Sequence, residues 1–272
     1  MNPMFNNAGI FKKVPLQREK QVEYSKEIIE YNEKQLQIHE KIRKIPRSFL
    51  FFSPIYKTEK LNLSSTHLVI YRETLIPMNV FFQKLNQREK LGFIISSFKH
   101  LLQATKLLSL NGIHTIHYEH IGFQKNGIPL IYDFQSCADL TYLPLELHML
   151  MYLSKHKMTA LSVDNLQHIV RNFYKCNGKQ VSYKDVQECL HSSDFHKWIN
   201  KPTEDVKKHI VALNTKWYVY GLGNLYTNLI ADLDMQDIPD ELIQLITTCK
   251  TIQLNQRPSI EEVIAQLNSL FY

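Results

Sequence analysis

Glycine is scarce in this sequence. The 272 residues contain eight glycines, and Gly9 is the only one among the first 91 residues. No G-x-G-x-x-G pattern occurs in the chain. Loops that cradle nucleotide phosphates need glycine, because their backbone must approach the phosphate closely. The composition therefore excludes a glycine-rich phosphate loop from the N-terminal third of the chain.

Cysteine pairs and long apolar runs are also missing. The cysteines at positions 137, 176, 189 and 249 include no C-x-x-C pair, so neither a zinc knuckle nor a disulfide framework is indicated. No apolar run reaches about eighteen residues, and the N terminus has no apolar segment of signal-peptide length. We therefore expect a soluble, intracellular protein of a reducing compartment, the cytoplasm, without a membrane span.

Positive charge is concentrated near the N terminus. The formal net charge is +6, and residues 12–60 hold twelve lysines or arginines against seven glutamates. Such a segment is typical of a solvated helix face, or of a surface that attracts an acidic protein, a lipid or a nucleic acid. No recognised nucleic-acid motif accompanies it, so we expect a protein partner and not a nucleic acid.

The most informative stretch runs from Asn111 to Glu146. Two apolar runs in it, at residues 121–123 and 128–132, predict strands. Asn126-Gly127 lies between them and favours positive φ angles, which predicts a two-residue hairpin turn. The tripeptide Asp133-Phe134-Gln135 follows the second run.

This stretch resembles the catalytic region of the eukaryotic-type protein kinases, in which H-R-D-x-x-x-x-N, a β-hairpin and D-F-G follow in this order. The resemblance makes Asp133 the metal-binding aspartate. It aligns Ile113-His114-Thr115 with His-Arg-Asp, so that Thr115 stands for the catalytic aspartate. It also aligns His117 with a lysine near the transferred phosphate and His120 with the second metal-binding residue.

The aligned residues lack the chemistry that the kinase family uses. A threonine hydroxyl cannot replace a carboxylate as the proton acceptor at neutral pH, and the imidazole of His120 is a poor ligand for Mg²⁺. Gln135 replaces the glycine of D-F-G. Only Glu119 offers this loop another carboxylate that could act as a base. The resemblance thus implies a degenerate catalytic loop.

The kinase resemblance implies a reduced small lobe over residues 1–74. Residues 10–14 resemble the V-A-I-K strand, which makes Lys12 the candidate nucleotide-binding lysine and Lys13 the alternative. The helix that would carry the partner glutamate, Glu27 or alternatively Glu30, is predicted over residues 19–45 from apolar residues at helical spacing. Further strands are predicted over residues 49–55 and 68–71.

Residues 75–272 are expected to form a mostly helical large lobe. A continuous apolar stripe predicts a buried helix over residues 87–109. Pro144-Leu145-Glu146 resembles the A-P-E that closes a kinase activation segment. A helical insertion is predicted at about 147–213, with helices over residues 145–157, 162–175 and 203–213.

Two further motifs extend the resemblance to the C terminus. Residues 217–223 resemble the start of the family's central helix, with Tyr218 in place of the aspartate that holds the catalytic loop, so this tie is expected to be lost. Residues 256–263 resemble R-P-[ST]-x-x-E-[LV], in which Arg257 is the structural partner of Glu146. The helix that follows is capped by Ser259, or by Arg257 or Gln256 if Pro258 occupies its first turn.

These observations predict an α+β, two-lobed, protein-kinase-like fold that serves as a catalytically inactive binding or scaffolding module, a pseudokinase. The alternative is an active atypical serine/threonine kinase with displaced catalytic residues. No cofactor is expected beyond weak binding of ATP and Mg²⁺, and a protein partner would use residues 12–60 or 147–213. The chain is also similar to divergent kinase-like proteins of large DNA viruses, for which the host cytoplasm or the virion is the expected location.

A remote alternative is a metal-binding protein. His114, His117 and His120 lie three residues apart and near Asp133, and this set of ligands suits Zn²⁺ or Fe²⁺. That spacing aligns ligands only on a helix, whereas the neighbouring sequence predicts a loop and a strand. We therefore expect ordinary loop histidines that hydrogen-bond to the backbone.

Overall fold

The chain divides into two compact units. The computed structural model describes residues 36–62, 66–113, 121–132, 143–192, 194–231 and 238–271. The predicted boundary lies at residue 74, whereas the first unit also contains residues 75–85 and 121–132. The reason is strand pairing, because a strand at residues 76–77 pairs with residues 122–123 of the hairpin. The second unit holds the remaining described residues.

The described part of the first unit begins with helix α1, residues 36–43. The earlier part of the helix predicted over residues 19–45 lies outside the described residues. The continuous strand predicted at 49–55 does not form: Ser48–Leu50 form a 3₁₀ turn, and in the rest of the range Phe52 makes an isolated bridge to Ile131 and Ile55 is the first residue of a strand. The N–H groups of Phe51 and Phe52 both donate to the carbonyl of Ser48, so this local turn uses the donors that a strand would need.

A two-stranded antiparallel sheet follows in the first unit. Strand β1, Ile55–Asn62, pairs with β2, Thr66–Arg72. The register places Lys57 opposite Tyr71 and Asn62 opposite Thr66. The strand predicted at 68–71 is therefore confirmed, and it is longer at both ends.

The other sheet of the first unit has the strand order β3, β4, β5. Strand β3, Ile76–Pro77, leads directly into helix α2, Met78–Phe82. Strand β4, Ile121–Phe123, pairs with β3 on one side and with β5, Pro129–Ile131, on the other. The predicted hairpin is confirmed.

The predicted two-residue turn of this hairpin is wrong. Gln124 and Ile128 close a three-residue loop, in which the N–H of Gln124 donates to the carbonyl of Ile128 over 3.0 Å. Within the loop only Gly127 has a positive φ angle, 85°. A type I turn followed by one residue in the left-handed region produces such a loop and needs glycine only at its last position.

The second unit is built on helix α3, Gln87–Leu110, which matches the prediction of 87–109. Asn86 begins the helix with a capping box. The Asn86 side chain accepts from the N–H of Glu89, and the Glu89 carboxylate accepts from the N–H of Asn86. The predicted apolar stripe is buried, with Phe98 and Leu101 fully inaccessible to solvent. Burial of this face is what holds the helix in place.

Four helices and a 3₁₀ turn lie in the described part of residues 143–213. Three of these helices were predicted, and the fourth, α6, was not. Their bounds are α4 Leu145–Lys155, α5 Val163–Cys176, α6 Tyr183–Ser192 and α7 Thr203–Ala212, with the 3₁₀ turn at Asp194–Trp198.

The described residues of the second unit end with three helices, α8 Asn214–Ala231, α9 Asp240–Cys249 and α10 Ile260–Phe271. Helix α8 packs against α3, where the Phe98 and Tyr226 rings lie 4.6 Å apart and the Tyr226 hydroxyl donates to Ser97 Oγ over 2.7 Å. Ser259 caps α10 with a reciprocal bond to Glu262, which selects among the three predicted caps.

The structure thus confirms the expected α+β class and the mostly helical C-terminal part. None of the helices in the described ranges is long and apolar enough to span a membrane.

Candidate functional site

Glu146 and Arg257 form a buried ion pair in the second unit, as the sequence resemblance predicted. Glu146 lies in the first turn of α4, after Pro144 at the N-cap position, and Arg257 lies just before α10. The Arg257 Nη1 group donates to Glu146 Oε1, and Nη2 donates to Oε2 over 3.4 Å. Both side chains have no exposed surface, so solvent does not screen their attraction.

Arg257 makes two further hydrogen bonds, to backbone carbonyls. Its Nε donates to the Thr251 carbonyl over 2.8 Å, and Nη1 also donates to the Lys216 carbonyl over 3.2 Å. The guanidinium carbon lies 4.9 Å from the centre of the Tyr220 ring, a cation–π distance. Additional hydrogen bonds of this kind offset part of the cost of burying an ion pair.

Arg257 therefore joins three parts of the unit that are distant in sequence. Its partners lie on α4, at the start of α8 and in the segment after α9. The same segment is held by Lys216, whose Nζ donates to the Leu254 carbonyl. Burial, and secondarily the nearby Arg257, lower the pKa of Lys216. The arrangement is suited to fixing backbone positions, because its charges are engaged with one another and not with solvent.

Tyr218 forms a second buried link, between α8 and the residue that follows the turn after α3. Its side chain is 1% exposed, and its hydroxyl donates to the Ile113 carbonyl over 2.6 Å. Ile113 is the first residue of the predicted catalytic loop, and residues 114–120 after it lie outside the described residues. We expected residue 218 to have lost its bond to the predicted catalytic loop, and this expectation is wrong. The Tyr218 hydroxyl holds the backbone of the first residue of that loop, at the position where the kinase resemblance implies an aspartate.

Replacing Tyr218 with phenylalanine is expected to lower the free energy of unfolding by about 1 kcal/mol, because the Ile113 carbonyl loses its buried donor. Urea unfolding followed by tryptophan fluorescence measures this in the second unit, which contains both tryptophans, Trp198 and Trp217. Tyr183→Phe is the control, since Tyr183 is 63% exposed and should change nothing measurable. Equal stability of the two variants would contradict a role for the hydrogen bond.

The other residues of the predicted catalytic and nucleotide site lie outside the described residues. They are Lys12, Lys13, Glu27, Glu30, His114, Thr115, His117, Glu119, His120, Asp133 and Gln135. Of the predicted site, the structure therefore describes Glu146, Tyr218 and Arg257. Within the described ranges, no three His, Cys, Asp or Glu side chains lie close enough together to hold a metal ion.

Sequence reasoning missed the residues that surround the ion pair. Lys216 and Tyr220 are both on α8, and Thr251 contributes only its backbone carbonyl. A usable signal existed for Tyr220, because the apolar run from Trp217 to Gly223 is too continuous for a helix with a solvent face. No such signal exists for a backbone acceptor, whose position depends on the fold alone.

The N-terminal basic segment is described only from residue 36. Its described part includes a groove of about 370 Å³ between α1 and the residues that lead into β1. Phe49 and Tyr56, which line this groove, are 66% and 55% exposed. Exposed aromatic side chains of this kind are common at protein-binding surfaces.

No protein-family model matches the chain, and no curated protein matches it.

Proposed function

We propose that this chain is a catalytically inactive, protein-kinase-like binding module. The observation that supports the proposal best is the buried contact of Glu146 with Arg257. The kinase resemblance pairs these two positions, which are 111 residues apart in the sequence. In the proposed two-lobed fold, the second unit corresponds to the helical large lobe and the first unit to the reduced small lobe.

The predicted catalytic loop lacks the residues that phosphoryl transfer needs. Phosphoryl transfer needs an aspartate that orients the attacking hydroxyl and metal ions that bridge the phosphates. Thr115 and His120 occupy those positions in the alignment, and Gln135 follows Asp133-Phe134. Three such defects act on one reaction, so repair of one of them is not expected to restore turnover.

A scaffold must keep a stable fold, but it needs no catalytic groups. The ion pair and the Tyr218 tie hold the second unit's frame, whereas neither offers a group to a substrate. Binding would then depend on surfaces, and the insertion over residues 147–213 and the basic segment over residues 12–60 are the proposed contacts for a protein partner. The similarity to kinase-like proteins of large DNA viruses is part of the same proposal.

Nucleotide binding and transfer provide the test. We expect no transfer of radiolabelled phosphate from ATP to the protein itself or to generic acceptors, with Mg²⁺ or with Mn²⁺. We also expect ATP to leave the melting temperature unchanged, because only a ligand that binds the folded state with appreciable affinity raises it. The Asp133→Ala variant serves as the control for contaminating kinases.

A transfer signal that is lost in Asp133→Ala would overturn the proposal in favour of an active atypical kinase, and Glu119 would then be the base to mutate. A sub-micromolar affinity for ATP in calorimetry would contradict the expected weak or absent nucleotide site.

A further inference from the structure

Asparagine is followed by glycine at three places in the chain, Asn111-Gly112, Asn126-Gly127 and Asn177-Gly178. All three glycines have positive φ angles, 64°, 85° and 68°, and all three pairs lie in turns. In such a pair the asparagine carboxamide is open to attack by the next backbone nitrogen, because glycine has no Cβ atom to shield that nitrogen. Since the three pairs share this sequence, their hydrogen bonds decide which of them reacts.

The reaction of an asparagine-glycine pair is deamidation, a covalent change of the chain. The glycine backbone nitrogen, deprotonated by hydroxide, forms a bond to the asparagine Cγ, and negative charge develops on Oδ1. The bond from Cγ to Nδ2 then breaks, and this nitrogen takes up protons from water and leaves as ammonium. Water opens the resulting cyclic imide at either carbonyl carbon, which leaves an aspartyl or an isoaspartyl residue. The net change converts an amide and a water molecule to a carboxylate and an ammonium ion, without oxidation or reduction.

At two of the pairs, the asparagine side chain is folded back on a helix. Asn111 and Asn177 are the C-cap residues of α3 and α5. Their carboxamide nitrogens donate to the carbonyls of Leu107 and Phe173, four residues earlier, each over 2.8 Å. These bonds hold the leaving nitrogen against the helix, so they must break before Cγ can meet the following backbone nitrogen.

The carboxamide of Asn126 is held in the opposite direction. Its Oδ1 accepts from the N–H of Ile128 over 3.2 Å, which folds the side chain forward over the peptide group between Asn126 and Gly127. Its carboxamide nitrogen donates to no group in the described part of the chain. The Ile128 N–H also lies at the oxygen on which negative charge develops, where a donor stabilises the intermediate.

The backbone bonds of the three glycines do not distinguish the pairs. Gly112, Gly127 and Gly178 each donate to the carbonyl three residues earlier, over 3.1, 2.9 and 3.0 Å. Each bond must open before the nitrogen can attack, so every pair reacts more slowly than in an unfolded chain. Exposure does not distinguish them fully either, because Asn111 and Asn126 are both exposed and Asn177 is half-buried. The direction of the side chain is the remaining difference.

We propose that Asn126 is a site of spontaneous deamidation in the turn between β4 and β5, whereas the helix-capping bonds of Asn111 and Asn177 protect those residues. Water is the only co-reactant. The inference concerns a modification of the first unit and goes beyond the proposed function, since it requires neither a partner nor a nucleotide.

The two products differ in their effect on the hairpin. An aspartyl residue at position 126 keeps the backbone, adds one negative charge and still accepts from the Ile128 N–H. An isoaspartyl residue routes the main chain through Cγ and lengthens the loop by one carbon atom. The bond from Gly127 to the Gln124 carbonyl then no longer closes a normal turn, so the isoaspartyl form weakens the pairing of β4 with β5.

The test is incubation of the full chain at mildly alkaline pH, followed by tryptic digestion at mildly acidic pH and mass spectrometry. Cleavage after Lys106, Lys125 and Lys175 places the three pairs on separate peptides, and chromatography separates aspartyl from isoaspartyl products. Asn126 is expected to react about fivefold to tenfold faster than Asn111 or Asn177, the factor that corresponds to one hydrogen bond.

The matched control is the same chain in guanidinium chloride, where the helix caps are lost. The three rates are expected to agree within about twofold there, because each asparagine precedes a glycine. Asn126→Ser removes the reacting carboxamide and is expected to abolish the product at that position. The rates at Asn111 and Asn177 should not change in this variant.

Three results would overturn the inference. The first is a rate at Asn111 or Asn177 in the folded chain that equals or exceeds the rate at Asn126. The second is an absence of product at Asn126 in the folded chain when the unfolded chain has reacted completely. The third is a preference for Asn126 that persists unchanged in guanidinium chloride, which would assign it to the flanking sequence and not to the hydrogen bonds.

Discussion

Glu146→Ala is expected to lower the free energy of unfolding of the second unit by about 3 to 5 kcal/mol. The substitution leaves the Arg257 charge buried, with only the carbonyls of Thr251 and Lys216 as acceptors. Carbonyl dipoles do not neutralise a full charge at zero exposure, so the desolvation cost of the guanidinium is no longer offset. The melting temperature should fall by about 10 °C in a unit of this size.

Glu241→Ala is the matched control. Glu241 occupies the second position of α9, as Glu146 does in α4, and a proline is the N-cap residue of both helices. Glu241 is exposed, so its substitution removes only a favourable interaction with the helix dipole, worth about 0.5 kcal/mol. A comparable loss in both variants would show that Glu146 acts through helix capping and not through Arg257.

A double-mutant cycle separates the pair from its surroundings. Glu146→Ala and Arg257→Ala together should cost less than the sum of the single substitutions, because the second substitution removes the charge that the first leaves unpaired. Additive losses, or an unchanged melting temperature for Glu146→Ala, would contradict the assignment of a structural ion pair.

Gly223→Ala is expected to destabilise the second unit by about 2 kcal/mol, the next largest effect. The added methyl group would lie 2.9 Å from Cys249 Cβ and 3.3 Å from the Ile246 carbonyl oxygen, so α9 must move away from α8. The intrinsic helix preference of alanine offsets only about 1 kcal/mol of this strain. Urea unfolding followed by tryptophan fluorescence measures the change.

The matched control is the same substitution at Gly92. Gly92 lies within α3, and a Cβ atom there would meet nothing within 4 Å. Gly92→Ala should therefore raise the stability by about 0.5 to 1 kcal/mol. Opposite signs at the two glycines are the expected result, and a gain in stability at Gly223 would contradict the close approach of α8 and α9.

Local periodicity accounts for the elements that the sequence predicted well. The apolar stripe of α3 repeats at helical spacing from Leu91 to Leu108, about five turns, and burial of that face is consistent with it. The hairpin of β4 and β5 was predicted from two apolar runs and Gly127. Both patterns involve residues that are close in sequence, so the elements can be predicted from a single sequence.

Local patterns also produced the errors. The aromatic run at residues 49–52 has the composition of a strand, yet Arg47 adopts a left-handed conformation with φ 61° and the chain turns. Helix α6 was missed because its ten residues include few apolar ones, of which Val186, Cys189 and Leu190 are buried. In both places, packing and backbone hydrogen bonds outweighed what composition indicated.

The sequence by itself determined the class of the fold, the main helices of the second unit and, through resemblance, the pairing of Glu146 with Arg257. Tertiary structure alone decided the hydrogen bond from Tyr218 to Ile113, the two carbonyls that accept from Arg257, and the close approach of α8 and α9 at Gly223. The reason is physical. Hydrophobic periodicity depends on residues that are close in sequence. These contacts join residues up to 105 positions apart, and they form only when the helices pack in one arrangement.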